Sequence, residues 1–172
     1  MPSNIEIKAR AANLDELRAA VESLSGGSCE TFHQEDIFFL CPAGRLKLRI
    51  LGENAGELIF YTRPDTAEAK QSHYDIYRMS EPQQLRKILT AALGETVTVR
   101  KRRRVYMAGQ TRIHLDEVEG LGTFMELEVV LRPGQEPEEG RAIAAELMAK
   151  LGVREADLVS CAYADLLQTR QG

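Results

Sequence analysis

The chain has 172 residues, and its 22 Lys and Arg against 26 Asp and Glu give a formal net charge of −4. A hydrophobic fraction of 44% at this low net charge excludes a disordered chain, and the length fits a single domain, 1–172. The sequence shows no apolar run of membrane-spanning length, no signal peptide and three cysteines without a CxxC pair, so we expect a cytoplasmic protein with no membrane partner, disulfide framework or zinc site.

The first half of the chain predicts five strands and two helices. Asn13 is typical of a helix N-terminus, and Gly26 is typical of the end of that helix. A second helix is expected over 82–93, since Pro82 suits a first helical turn, and the polar stretch 65–71 is expected to be a loop. The strands are expected at 5–10, 29–41, 45–51, 57–63 and 72–79.

The second half predicts three more strands and the remaining helices. The strands are expected at 96–108, 110–118 and 123–131. An amphipathic helix is expected after the loop 133–140, ending near Gly152, and a last helical segment is expected at 155–168. Eight strands, mostly joined as hairpins, with three or four helices indicate an α+β fold with a mainly antiparallel sheet.

Charged residues alternate with apolar residues along most of these strands. Because alternate side chains of a strand share a face, Arg45, Lys47 and Arg49 lie together opposite an apolar face. One interpretation is the wet face of a half-buried sheet. If the sheet curls on itself, the same faces form a cationic interior with a small carboxylate cluster, which suits a polyanion and a divalent cation. The other charged or polar faces are Glu6/Lys8/Arg10, Tyr61/Arg63, Lys101/Arg103, His114/Asp116 and Glu126/Glu128.

The basic run at 100–104 offers a competing interpretation, a nucleic-acid-binding segment. Within a strand, however, its five charges divide between two faces, and the chain as a whole is acidic. We therefore expect no nucleic-acid partner.

Motifs along nearly the whole chain carry a family resemblance. They are Asn4-Ile5-Glu6-Ile7-Lys8 and the segments 34–39, 45–49, 99–103, 113–122, 124–128 and 163–167. The first is similar to an N-terminal ExExK signature, and the ordered set resembles the CYTH superfamily. That superfamily includes class IV adenylyl cyclases, thiamine triphosphatases and inorganic triphosphatases.

The resemblance implies an eight-stranded antiparallel closed barrel, the triphosphate tunnel, with flanking helices. Its interior would hold a small triphosphate together with Mg²⁺ or Mn²⁺. Asp36, Phe38 and Phe39 also match the family and are interpreted as features of the fold. The phosphate-binding residues would be Lys8, Arg45, Lys47, Arg49, Arg63, Lys101, Arg103 and His114. The metal ligands, either directly or through water, would be Glu6, Asp116, Glu126 and Glu128. The residues expected at the chemistry itself are Glu126, Glu128 and Lys101.

Two questions stay open at this point. Asn4 replaces the first Glu of the signature, and an amide oxygen carries no charge, so the number of metal ions, one or two, is undecided. The same residues would serve a triphosphatase, in which water attacks the terminal phosphorus, or an adenylyl cyclase, in which the ribose 3′-hydroxyl attacks the α-phosphorus. A non-catalytic polyphosphate-binding module is a third alternative, and either a monomer or a homodimer is expected.

Overall fold

The computed structural model describes residues 3–62 and 70–171, which form eight strands and four α-helices. The strands are β1 (Ser3–Arg10), β2 (Cys29–Phe39), β3 (Arg45–Gly52), β4 (Ala55–Thr62), β5 (Lys70–Met79), β6 (Glu95–Ala108), β7 (Thr111–Val118) and β8 (Gly122–Val130). The helices are α1 (Leu14–Ser25), α2 (Pro82–Leu93), α3 (Pro137–Leu151) and α4 (Tyr163–Gln171), and a short 3-10 helix covers Glu155–Asp157.

The eight strands form one antiparallel barrel. Their order around it is β1-β5-β4-β3-β2-β6-β7-β8, and β8 pairs back onto β1. β1 pairs with β8 over seven residue pairs, whereas its described pairing with β5 covers four, from Ser3 to Glu6. The predicted α+β fold with an eight-stranded antiparallel barrel is confirmed, and the β1–β5 seam closes it over a short length.

Most of the apolar core lies outside the barrel wall, and a second apolar cluster lies inside it around Tyr163 of α4. Ile5 and Ile7 of β1 point outward and pack with outward side chains of β7 and β8 against α1 and α3. α3 approaches β1 closely because position 140 is glycine: a Cβ there would lie 2.7 Å from Ile5 Cγ1. On the other side, Leu85 and Leu89 of α2 cover outward side chains of β2 and β3. The charged faces of the strands are therefore turned toward the interior.

The last helical segment differs from the prediction. Instead of one helix over 155–168, the chain leaves the 3-10 helix and runs along β1, where Leu158 pairs with Ala9 and Val159 N–H donates to the carbonyl of Lys8 at 2.9 Å. This strand-like contact satisfies backbone groups that a continuous helix would use internally. It also brings the start of α4 to one end of the barrel.

The other differences are small. β5 begins at Lys70, so two residues of the predicted loop 65–71 belong to a strand, and the rest of that loop lies outside the described residues together with Arg63. α3 begins at Pro137, within the predicted loop. The three cysteines are free thiols. Within 3–62 and 70–171, none of the helices combines the length and apolarity needed to cross a bilayer.

Candidate active site

A cavity of about 750 Å³ occupies the barrel interior. Its wall consists of inward side chains, which recur at every second position because strand side chains alternate. Lining residues from the predicted faces are Glu6, Lys8, Arg49, Arg103, Glu126 and Glu128. The structure thus brings predicted cations and carboxylates from separate strands into one tunnel.

Asp36 of β2 organises the cations on one side of the tunnel. Its carboxylate accepts hydrogen bonds from Lys47 Nζ at 2.9 Å and from Arg49 Nε and Nη2 at 2.9 and 3.0 Å. Lys101 Nζ lies 3.9 Å away. Burial alone would raise the pKa of the Asp36 carboxyl, but these three cations outweigh it and hold the pKa well below its usual range. Asp36 therefore stays ionised and fixes the cationic wall.

Arg103, on the neighbouring strand β6, joins two carboxylates that lie on β7 and β8. It binds Asp116 through two bonds, Nε to Oδ1 at 2.7 Å and Nη2 to Oδ2 at 2.6 Å, and Nη2 also reaches Glu126 Oε2 at 2.8 Å. Lys8 Nζ lies 3.6 Å from Glu126 Oε1. Burial would raise the pKa of Glu126, but Arg103 and Lys8 hold it well below the usual range. The tunnel therefore contains an ionised carboxylate within reach of two phosphate-binding candidates.

Glu128 forms a third group with residues of β1 and β7. Asn4 Nδ2 donates to Glu128 Oε1, and Arg112 donates through Nε at 3.0 Å and Nη2 at 3.3 Å. His114 stands between the two glutamates, with Nδ1 3.4 Å from Glu126 and Nε2 3.6 Å from Glu128. Burial and the nearby positive charge of Arg103 lower the pKa of His114, so its imidazole is neutral at pH 7. A neutral imidazole has a single N–H, so His114 can donate a hydrogen bond to one of the two carboxylates, and Glu126 is the nearer.

Helix α4 closes one end of the tunnel. Tyr163 inserts its ring there, with Lys8 Nζ 4.1 Å and Lys101 Nζ 5.1 Å from the ring centroid. Its hydroxyl donates to Asp116 Oδ2 at 2.8 Å. Asp165, two residues later, accepts two hydrogen bonds from Arg45, at 3.0 and 2.8 Å. The site is therefore a pocket with one closed end, where Lys8 lines the cavity and the ring of Tyr163 lies behind it.

Replacement of Tyr163 by phenylalanine should lower the free energy of unfolding by about 1–3 kcal/mol, because the buried Asp116 loses a hydrogen-bond donor. Urea denaturation followed by far-UV circular dichroism measures the change. Tyr77→Phe is the matched control, since Tyr77 is 66% exposed and should tolerate the same change. An equal effect of the two substitutions would show that the Tyr163 hydroxyl contributes nothing to stability.

Two buried lysines titrate near neutral pH. Burial and repulsion by Arg103 lower the pKa of Lys101 to about 7, against an opposing contribution from Asp36. Burial likewise lowers the pKa of Lys47 to about 8, although Asp36 opposes the shift. A further negative charge bound beside either lysine would therefore raise its pKa and favour its protonated form.

The carboxylates fit a divalent cation by donor chemistry. Glu6 and Glu128 face each other across β1 and β8, and Glu126 lies one inward position along, so three oxygen donors line one wall, as a hard cation requires. Within the described ranges, no three such side chains already stand at the geometry of a metal centre. Asp116 does not fit as a direct ligand, because it is fully buried and both its oxygens are bound by Arg103 and Tyr163.

The structure places most of the predicted site residues inside the barrel. Arg10 is exposed at the end of the barrel. The side chains that point into the barrel are those of Lys8, Arg45, Lys47, Arg49, Lys101, Arg103, His114, Glu6, Glu126 and Glu128. Sequence reasoning missed the partners of these residues: Asp36 was interpreted as a feature of the fold, and Arg112 and Asp165 were not considered. The alternation rule itself would have found Asp36, which shares the inward face of β2 with Gln34.

The structure thus defines an eight-stranded antiparallel barrel whose interior carries both cations and carboxylates. A family model described as CYTH domain matches residues 3–163. The chain belongs to the CYTH domain family.

Relatives agree with this assignment over almost the whole chain. A Methanocaldococcus jannaschii protein provisionally named adenylate cyclase is 23% identical over 169 residues, 94% of this chain and 97% of that protein. A Pyrococcus horikoshii structure has a TM-score of 0.85 at 24% identity, covering 95% and 98% of the two chains. A Hippeastrum protein, provisionally named adenylyl cyclase and described as having a dominant triphosphatase activity, has a TM-score of 0.65 at 21% identity, covering 100% and 96%.

Proposed function

We propose that the protein is a divalent-metal-dependent phosphohydrolase that cleaves the terminal phosphate of an inorganic, nucleoside or thiamine triphosphate. One observation carries the proposal: the tunnel has a closed end, and Glu126 is the lining carboxylate that lies beside it. Glu126 is 3.6 Å from Lys8 Nζ, which itself lies over the ring of Tyr163. An organic group attached to the triphosphate would remain at the open end, so the terminal phosphorus would approach Glu126.

The cations bind and orient the triphosphate. Asp36, Asp165 and Asp116 already align the cations, so little reorganisation is needed when phosphate oxygens accept hydrogen bonds from the remaining N–H groups. These cations are Arg45, Lys47, Arg49, Lys101 and Arg103. Lys101 and Lys8, at the closed end, would neutralise the terminal phosphate. An arginine can bind two phosphate oxygens at once through two N–H groups, and this fixes the direction of the bound triphosphate.

The carboxylates supply the remaining functions. Glu6, Glu126 and Glu128 would hold the divalent cation, which when bound neutralises phosphate charge and polarises the phosphoryl oxygens. Transfer of Arg103 and Lys8 to the phosphate would leave Glu126 free to orient the attacking water and accept its proton. The neutral His114 would hold Glu126 in this orientation through its single N–H.

Cyclisation of ATP is the second candidate, since relatives carry adenylate cyclase names. The triphosphatase activity described for the Hippeastrum protein supports hydrolysis. Product analysis separates the two: purified protein with Mn²⁺ is offered tripolyphosphate, ATP and thiamine triphosphate. Release of orthophosphate supports the proposal, cyclic AMP with pyrophosphate supports the cyclase, and binding without any product leaves the polyphosphate-binding module.

As the pH rises from 7 to 9, the affinity for tripolyphosphate should fall more in the wild type than in the Lys101→Arg variant. A bound polyanion raises the pKa of Lys101 from about 7, so binding above that pH requires proton uptake and weakens by up to about tenfold per pH unit for this group. Arginine stays charged throughout and removes this contribution. Calorimetric titration in buffers of different ionisation enthalpy measures affinity and protons together. A constant affinity ratio between the two proteins would contradict the assignment.

A further inference from the structure

Asn4 places an uncharged amide among the charged side chains of the tunnel wall. It is fully buried, lines the cavity, and donates its Nδ2 hydrogen to Glu128 Oε1. The orientation of the amide follows from chemistry, because an ionised carboxylate accepts a hydrogen bond from N–H and repels a carbonyl oxygen. Asn4 Oδ1 therefore points the other way, and the described part of the chain offers it no hydrogen-bond donor.

Glu128 has little capacity left on the side of Asn4. A carboxylate offers about four lone-pair positions, and the Asn4 amide and two nitrogens of Arg112 occupy three of them. Arg112 also supplies a full positive charge. A divalent cation at this place would have to displace the N–H donors and would be repelled by the guanidinium. One lone-pair position remains, on the side of His114 and Glu126.

We propose that Asn4 and Arg112 take the place of a divalent cation beside Glu128, so that the tunnel binds one metal ion, on the side of Glu6 and Glu126. This inference rests on the proposed function, since it concerns the metal used in that reaction. Asn4 is then a positioning residue for Glu128, and its free Oδ1 is available to a hydrogen bond from the bound substrate or from a water in the metal's hydration shell.

The isosteric change Asn4→Asp tests the inference. It places a carboxylate against Glu128 and two residues from Glu6 on the same face of β1, which creates three adjacent carboxylates. Their mutual repulsion is relieved by a cation. Titration with Mn²⁺, followed by the loss of the free-ion electron paramagnetic resonance signal, should count one ion per chain for the wild type and two for Asn4→Asp. Asn54→Asp adds the same charge at an exposed turn and should leave the count at one.

Thermal unfolding supplies an independent readout. Asn4→Asp should melt at a lower temperature than the wild type in EDTA, and Mn²⁺ should raise its melting temperature more than that of the wild type. If Asn4→Asp does not fold, Arg112→Ala replaces it: removal of the guanidinium frees lone pairs of Glu128 and should add one Mn²⁺ per chain.

Several outcomes would overturn the inference: two ions or none in the wild type, or no additional ion in either variant. The proposed function is tested separately. If the ion count rises from one to two while no triphosphate is cleaved by the wild type, the hydrolase assignment fails and the role of Asn4 stands.

Discussion

Replacement of Glu126 by glutamine is expected to lower kcat for triphosphate hydrolysis by about 100-fold or more, the size of effect that loss of a general base produces. Glutamine keeps the shape of the side chain but loses the charge that faces Arg103 at 2.8 Å and Lys8 at 3.6 Å. It can neither accept a proton from water nor serve as an anionic ligand. Steady-state release of orthophosphate in Mn²⁺ measures the loss.

The control is Glu119→Gln, the same chemical change at an exposed turn outside the tunnel. Circular dichroism of both variants should match that of the wild type, because Arg103 keeps its two bonds to Asp116 when the Glu126 charge is removed. If Glu126→Gln retains near-normal kcat, Glu126 is not the group that activates water, and Glu128 becomes the candidate.

The second large effect is on stability. Asp36→Asn should lower the free energy of unfolding by about 3–5 kcal/mol, as expected when one member of a buried ion-pair group is removed. Asp36 is 2% exposed and neutralises Lys47 and Arg49, with Lys101 3.9 Å away. Without it, Arg49 keeps its charge in a buried space, while Lys47 and Lys101 lose the partner that raises their pKa values. Guanidinium denaturation measures the loss.

Tripolyphosphate should restore much of this stability, because a bound polyanion neutralises the same cations. The rise in melting temperature on adding tripolyphosphate should therefore be larger for Asp36→Asn than for the wild type. Asp15→Asn, an exposed carboxylate on α1, is the control and should cost below about 1 kcal/mol. An equal response of both variants to tripolyphosphate would mean that the Asp36 cations do not bind phosphate.

The period of two along the strands made the charged faces of the sheet predictable. Alternation alone assigns Lys47 and Lys101 to inward faces, and it needs no knowledge of which strands are neighbours. The strand and turn pattern predicted eight strands, and the resemblance implied their closure into a barrel; both agree with the structure.

The ion-pair partners could not be predicted in the same way, because they depend on register across the barrel. Arg103 meets Asp116 because the two stand opposite each other on β6 and β7, and Lys47 meets Asp36 one diagonal step across β2 and β3. The end of the tunnel depends on a still longer contact, Arg45 to Asp165, separated by 120 residues. Nothing in the local sequence at Tyr163 indicates that its helix would close a barrel.

The division of the barrel wall into an apolar outside and a charged inside also constrains how the protein folds. A slip of β1 by one residue against β8 would turn Glu6 toward α3 and place Ile5 and Ile7 in the tunnel, so every side chain of the strand would meet the wrong environment. Such a slip loses apolar burial and charge pairing together, whereas a strand polar on both faces would lose neither. The residues proposed to bind the polyanion thus also fix the strand register, and the correct alignment is separated from its one-residue neighbours by a large gap in free energy.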